Sequence, residues 1–182
     1  MQKKLLSLLL TLILFLSFVA PTISATHVTG KKIVIDAGHG GTDTGSAECA
    51  GLYESQANLD IARRLRDKLE GDTAIVLMTR DGDETLSNAD RYNTANEFGG
   101  DALVSVHLNG STDYLVNGTL GLYGKKNKDE QFARTLHNRL LASLNGVPDQ
   151  GVTNFASGVL LKSNMPASIQ EAVYISNSDE CS

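Results

Sequence analysis

Short apolar runs rich in β-branched residues alternate along this chain with segments whose apolar residues recur at helical spacing. The runs predict strands, and the segments between them predict helices. The predicted strands cover 32–36, 73–79, 102–106, 119–123, 159–161 and 169–175, and the predicted helices cover 58–70, 86–98 and 129–144. Strands that alternate with helices form a sheet with helices packed on both faces. We therefore predict a single α/β domain whose central sheet has about six strands and is mostly parallel or mixed.

The first 25 residues have the pattern of a secretory signal peptide. Lys3 and Lys4 precede an apolar run over 5–20, and small residues end the segment at Ala25. The run is shorter than the ~20 residues of a membrane-spanning helix, although an uncleaved anchor remains the alternative. We expect cleavage after residue 25, a mature domain over 26–182, and export to the periplasm or to the cell wall and extracellular space, without stable membrane insertion afterwards.

The charge balance excludes one large class of function. The formal net charge is −5, and the chain has no run of basic residues. Nucleic acids and anionic membrane surfaces are bound by clustered lysines and arginines. We therefore expect no nucleic acid partner.

Two cysteines, Cys49 and Cys181, lie far apart in the sequence. Their spacing fits neither a zinc ribbon nor a redox motif. An exported chain can form disulfides, but no local pattern pairs these two residues, and we expect both to be free.

Two of the four histidines directly follow predicted strands. His39 follows "IVIDAG" and stands among glycines, and His107 follows "ALVSV". Ligand sites of open α/β sheets lie beyond the carboxyl ends of their strands, so these two are candidate metal ligands. His27 lies beside the cleavage site, and His137 falls inside a predicted helix, where we expect a hydrogen-bonded structural role.

Glu54 is the candidate third ligand. A catalytic zinc site typically has three protein ligands and a water, and two histidines with one glutamate are a known combination. Glu54 comes just before the predicted helix at 58–70, on the side that faces the strand ends. The alternative is an ordinary glutamate that the helix dipole favours near a first turn. No HExxH motif is present to decide between the two.

Glu171 lies within an apolar strand pattern. The two-residue period of a strand places it on one face with Ile169, Val173 and Ile175. A carboxylate in such surroundings is costly unless it is paired or protonated, and burial raises its pKa toward neutrality. Such a pKa suits a general acid and base. The alternative is an edge strand whose glutamate points to water.

The segments that carry these residues also resemble a known family. In order they read "IVIDAGHGGTDTG", "GLYE" before "NLDIARRLRDKL", "VLMTRDGD", "SVHLN" and "MPASIQEAVYISNSDE". This succession resembles the zinc-dependent N-acetylmuramoyl-L-alanine amidases, cell-wall hydrolases of the amidase-3 type, over about 32–180. The resemblance implies that His39, Glu54 and His107 bind one zinc ion, and that Glu171, six residues before Asn177, is catalytic.

The resemblance further implies the reaction and its partner. A zinc-activated water, with Glu171 as general acid and base, would hydrolyse the amide between N-acetylmuramic acid and the L-alanine of the peptidoglycan stem. Asn109, two residues beyond His107, is a candidate for substrate binding. The expected partner is peptidoglycan, and the sequence leaves open whether a protein activates the enzyme.

Two departures from the family are visible in this chain. The segment around the catalytic glutamate usually reads close to "VEVGF", whereas this chain has "QEAVY". Relatives also continue into a final helix, so we expect the zinc amidase catalytic domain over 26–182 to be C-terminally short, with exposed apolar surface and reduced stability. Two alternatives to the amidase remain: a catalytically silent peptidoglycan-binding or regulatory domain, and a zinc peptidase or deacetylase with another substrate.

Overall fold

The computed structural model describes residues 28–49 and 51–181, without the side chains of 47–49. The expected signal peptide, its cleavage site and His27 lie outside these residues, so the export of the chain remains a prediction. None of the described helices has the length and hydrophobicity that a membrane span requires.

Strands and helices alternate through most of the described chain. The strands are β1 (Lys32–Ala37), β2 (Ala47–Cys49), β3 (Leu52–Tyr53), β4 (Ile75–Met78), β5 (Ala102–Asn109), β6 (Thr119–Tyr123), β7 (Asp149–Asn154) and β8 (Ala167–Tyr174). The helices are α1 (Glu54–Gly71), α2 (Asn88–Phe98), α3 (Lys126–Ser143) and α4 (Gly158–Lys162).

Six of these strands form one mixed sheet in the order β4-β1-β5-β8-β6-β7. The neighbours β4, β1, β5 and β8 are parallel. β6 runs antiparallel to β8, and β7 is parallel to β6. β2 and β3 form a separate antiparallel hairpin. The predicted α/β domain with a mixed, six-stranded sheet is confirmed, and the carboxyl ends of β1, β5 and β8 meet at one edge.

Helices cover both faces of the sheet. On one face, Ala62 of α1 packs in a core with Ile35. On the other face, Ala95 of α2 and Leu160 of α4 pack in a core with Val34. Neighbouring residues of a strand point to opposite faces, so β1 contributes to both cores. Burying one aliphatic side chain contributes about 1.5–3 kcal/mol, and these two layers fix the strand ends that carry the candidate site.

The structure corrects two of the predicted elements. Residues 159–161 belong to the helix α4 and not to a strand, because periodicity cannot assign an apolar run of this length. β7 was not among the predicted strands, since its sequence "DQGVTN" has no apolar alternation. It lies at the edge of the sheet and is mostly exposed, so the fold requires few apolar residues there.

Two element boundaries differ from the prediction at the candidate site. α1 begins at Glu54, four residues early, so Glu54 is its first residue and does not precede it. β5 extends to Asn109, so His107 lies within the strand and not after it. The start of α1 lacks a conventional capping residue. Instead, the Tyr53 N–H donates to the side chain of Gln56, and sequence patterns do not reveal such a start.

Two expectations outside the site have different outcomes. His137 is buried, and its Nε2 lies 2.7 Å from Asp149 Oδ1, which agrees with a structural role. Cys181 is disulfide-bonded, so the expectation that it is free was wrong. The side chain of Cys49 lies outside the described residues. A disulfide partner is chosen by the fold, and spacing along the chain carries no signal for it.

Candidate metal and catalytic site

The chain turns sharply after β1, and this turn carries His39. His39 has a φ of 60°, and Gly40 and Gly41 have φ values of 131° and 60°. The left-handed region costs a non-glycine residue about 1–2 kcal/mol, so the surroundings must hold His39 there. A Cβ at Gly41 would lie 2.1 Å from Thr85 Oγ1, and one at Gly40 would lie 2.3 Å from the Glu84 carbonyl oxygen. The glycines therefore let the turn pack closely against the 84–85 segment.

Glu54 lies at the centre of the site and is 2% exposed. Its Oε1 is 3.2 Å from His39 Nε2 and 3.0 Å from His107 Nδ1. The carboxylate also accepts hydrogen bonds from the backbone N–H groups of Ser46 and Leu108. Burial alone would raise the pKa of Glu54, but hydrogen bonds from His107, His39 and Ser46 hold it well below its usual range. Glu54 is therefore a buried, ionised carboxylate in contact with both imidazoles.

These three residues form a cluster that can hold a metal ion. Their ligand atoms lie within 4.8 Å of one another, and the described residues contain no other such group. The two imidazole rings meet edge to face, with centroids 4.8 Å apart and planes inclined at 74°. Two imidazole nitrogens and one carboxylate oxygen are the donor set of a catalytic zinc site whose fourth position stays open.

Asp43 supports His39 from outside the cluster. Its Oδ2 lies 2.9 Å from His39 Nδ1, and carboxylates commonly orient metal-binding imidazoles in this way. The hydrogen bond with Glu54 is the main cause that raises the pKa of His39 to about 9; burial opposes this shift, and Asp43 adds to it. Without a metal, the imidazole is therefore protonated at neutral pH.

Glu171 lies in β8 directly beside His107 of β5. β8 is an inner strand, so the alternative of an edge strand was wrong. The Oε2 atom of Glu171 is buried without a hydrogen-bond partner in the part of the chain that the structure describes. Burial raises the pKa of this carboxyl, while the charges of His107 and Glu54 act in opposite directions. The register shifts just after Glu171, so a bulge interrupts the predicted face toward Val173 and Ile175.

The cluster borders two adjoining cavities that together form a groove. The first, of about 540 Å³, is lined by His39, His107 and Glu171 and also by six apolar side chains, those of Leu86, Leu120, Leu122, Phe155, Val159 and Ile169. A second cavity of about 450 Å³ shares those three polar residues and extends to Ser46, next to the β2–β3 hairpin. Asn109 lines both cavities.

The fold brings His39, Glu54, His107 and Glu171 into one region, as the sequence predicts. Sequence reasoning missed Asn58, whose fully buried side chain donates to Glu54 Oε1 over 3.1 Å and to the Gly38 carbonyl oxygen over 3.3 Å. Asn58 lies four residues after Glu54, on the same side of α1. That spacing is informative only when the helix is known to begin at Glu54.

Comparison with known proteins places this architecture in a family. Residues 33–182 match the family described as N-acetylmuramoyl-L-alanine amidase. The amidase LytC of Bacillus subtilis (strain 168) is 33% identical over 158 residues, which are 85% of this chain and 32% of LytC. The amidase CwlM of Bacillus licheniformis is 35% identical over 156 residues, which are 82% of this chain and 58% of CwlM.

A solved structure gives the same result for the fold. The N-acetylmuramoyl-L-alanine amidase from Clostridium difficile 630 has a TM-score of 0.79 and 32% identity to this chain, and the match covers 84% of each. The chain spans less than two thirds of the two curated relatives but most of this solved structure. On the strength of the match over 33–182 and these relatives, the chain belongs to the N-acetylmuramoyl-L-alanine amidase family.

Proposed function

We propose that this chain is a zinc-dependent N-acetylmuramoyl-L-alanine amidase. It hydrolyses the amide between the lactyl group of N-acetylmuramic acid and the L-alanine of the peptidoglycan stem peptide. Membership of the family supports the reaction class. The observation that carries the proposal is the buried oxygen of Glu171, which has no hydrogen-bond partner among the described residues and lines the same groove as the His39–Glu54–His107 cluster.

In this proposal, His39 Nε2, Glu54 Oε1 and His107 Nδ1 hold the zinc ion, since these are the atoms that converge. Zinc bound there would lower the pKa of a water and polarise the amide carbonyl of the substrate. The ionised carboxylate of Glu54 balances part of the metal charge. Asp43 keeps His39 oriented through its contact with Nδ1.

Glu171 acts as the general base and then as the general acid. It takes a proton from the attacking water and later delivers one to the nitrogen of L-alanine, so the stem peptide leaves as a neutral amine. Burial raises the pKa of Glu171, so its protonated form is easier to reach than that of an ordinary glutamate, which favours the step in which it delivers a proton. General acid–base catalysis of this kind contributes about 10²–10⁴-fold to a rate.

The shape of the groove fits a branched polymer. Two cavities adjoin the cluster, and a glycan strand with its stem peptide needs room on two sides of the scissile amide. Asn109 reaches both cavities and is the proposed substrate-binding residue. This substrate lies outside the cytoplasm, in agreement with the expected signal peptide over 1–25 and with export.

The proposal is tested by incubating purified peptidoglycan with the zinc-loaded protein and identifying the new amino termini. We expect amino-terminal L-alanine and free stem peptides from the wild type. His39→Ala should bind no stoichiometric zinc and release nothing. Glu97→Gln, an exposed glutamate change on α2, is the matched control and should behave as the wild type does.

Other outcomes would replace the amidase with one of its alternatives. Termini other than L-alanine would indicate a peptidase, and released acetate would indicate a deacetylase. Sedimentation with peptidoglycan and no product would indicate a silent binding domain. Each of these results contradicts the proposed reaction.

A further inference from the structure

Two buried arginines lie behind the turn that carries His39. Arg80 is 3% exposed and Arg91 is 5% exposed. Both donate to the Ala37 carbonyl oxygen, over 2.9 Å and 2.8 Å. Arg80 Nη2 also donates to the Gly38 carbonyl over 2.9 Å, and Arg91 Nη2 donates to the His39 carbonyl over 2.8 Å. The two guanidinium groups therefore bind three consecutive carbonyl groups of the turn.

Arg80 also reaches the segment that carries the second candidate ligand. The same Nη2 that binds Gly38 donates to the Ser55 carbonyl oxygen over 2.8 Å. Ser55 directly follows Glu54 in the first turn of α1. One guanidinium group thus connects the turn of His39 to the start of the helix that presents Glu54.

The third ligand rests on the same turn. A Cβ placed on Gly38 would lie 2.2 Å from His107 Nε2, so the imidazole of His107 packs directly against the Gly38 backbone. The Gly38 carbonyl accepts from both Arg80 and Asn58. Arg80 and Asn58 therefore fix the position of the Gly38 backbone. The Gly38 backbone in turn limits where the ring of His107 can lie.

The charge of Arg80 makes this arrangement costly. Arg91 has an ion pair with Asp36, 2.7 Å long. Arg80 has no ion-pair partner among the residues that the structure describes, and carbonyl oxygens alone receive its hydrogen bonds. Burying a cation without a directly paired carboxylate is unfavourable. Burial and the charge of Arg91 lower the pKa of Arg80 below its usual value, and the charges of Asp36, Asp83 and Glu84 offset only part of this shift. A residue kept at such a cost needs a role beyond packing.

We propose that Arg80 is a positioning residue of the metal site, which holds the segments of His39 and Glu54 in register before the metal binds. Its planar fork binds carbonyls of both segments at once, whereas the single ammonium of a lysine cannot span them. Arg91 also binds this turn, because it donates to the carbonyl oxygen of His39, whose backbone is in the left-handed region. The inference rests on the proposed function in one respect, that zinc is the metal.

The test compares zinc affinity of the wild type and Arg80→Lys in competition with a chelating indicator, with folding monitored by circular dichroism. We expect Arg80→Lys to lose about 10–100-fold in zinc affinity, the usual effect of removing a group that orients metal ligands. Cobalt(II) added in place of zinc should give a weaker and shifted visible spectrum in the variant.

Asp129→Asn is the matched control. Asp129 is fully buried and accepts from the Lys125 and Ala167 N–H groups, at the opposite end of β8 from the cluster. This control should lower the free energy of unfolding but leave zinc affinity and the cobalt spectrum unchanged. An equal loss of zinc affinity in Asp129→Asn would mean that Arg80 acts through stability alone and would overturn the proposal.

Zinc affinity of Arg80→Lys within threefold of the wild type would also overturn it. If Arg80→Lys does not fold, Arg80→Gln carries the test, because a glutamine amide is too short to bind the Gly38 and Ser55 carbonyls together. Wild-type affinity in Arg80→Gln would then contradict the proposal. A wild type that binds no zinc refutes the proposed function itself, which separates that failure from a failure of the positioning role.

Discussion

Zinc affinity should depend steeply on pH, because the metal must displace a proton from His39. Hydrogen bonding to Glu54, with a further contribution from Asp43, raises the pKa of His39 to about 9. A histidine binds metal only in its neutral form, so metal and proton compete for Nε2. Glu54 does not add a second proton to this competition, because, against the opposing effect of burial, hydrogen bonds from His107, His39 and Ser46 keep its pKa below the usual range and the carboxylate stays ionised at neutral pH.

The size of the effect follows from the shifted pKa. With a pKa of about 9, the neutral fraction of His39 rises about 75-fold between pH 6.5 and 8.5, which corresponds to about 2.6 kcal/mol of binding free energy. With the ordinary pKa of 6.5, the same change of pH raises the neutral fraction only about twofold. The two cases differ enough for a direct measurement.

The assay is zinc competition with a chelator of known pH dependence, at fixed ionic strength. Asp43→Asn removes one of the two carboxylates that raise the pKa and should give a shallower rise, while the exposed change Glu97→Gln should follow the wild type. A wild-type affinity that rises less than about fivefold over this range would refute the reasoning that Glu54 and Asp43 raise the pKa of His39 and keep it protonated.

Three further predictions concern stability and geometry. Without metal, the contribution of His39 to stability is fully present below pH 6.5 and is lost as pH rises through about 9. The contribution of Glu54 is present above pH 4.5 and is lost as pH falls below that value. Urea titrations should therefore place the maximum stability of the apoprotein between pH 4.5 and 6.5. Gly38→Ala should abolish stoichiometric zinc binding, since the added Cβ would overlap the imidazole of His107. A wild-type zinc content in this variant would contradict the prediction. Asp36→Asn should cost about 3–5 kcal/mol in the free energy of unfolding, because it leaves Arg91 buried without its partner; a loss below ~1 kcal/mol would contradict this.

The sequence predicts the inner strands and the residues at their ends well, for a physical reason. Inner strands of a covered sheet need continuous apolar runs, and a histidine after such a run stands out. This pattern marks His39 and His107 as candidate ligands. Glu171 stands out because a carboxylate conflicts with the apolar alternation around it. These patterns are local, so they can be recognised from the sequence alone.

The rest depends on contacts that no local pattern records. Arg80 and Arg91 bind backbone carbonyls, which every residue has, so their partners cannot be read from side-chain types. Asn58 gains its role only from the true start of α1. The edge strand β7 and the short helix α4 are set by tertiary packing and not by propensity.

The most direct test of the central claim is the rate of stem-peptide release by zinc-loaded Glu171→Gln. The variant keeps all three proposed ligands, so it should bind one zinc ion as the wild type does. We predict that its rate of release of peptides with amino-terminal L-alanine falls about 10²–10⁴-fold, since amide nitrogen cannot be protonated by a glutamine. A rate within tenfold of the wild type, at equal zinc content, would contradict the assignment of Glu171 as the general acid and base.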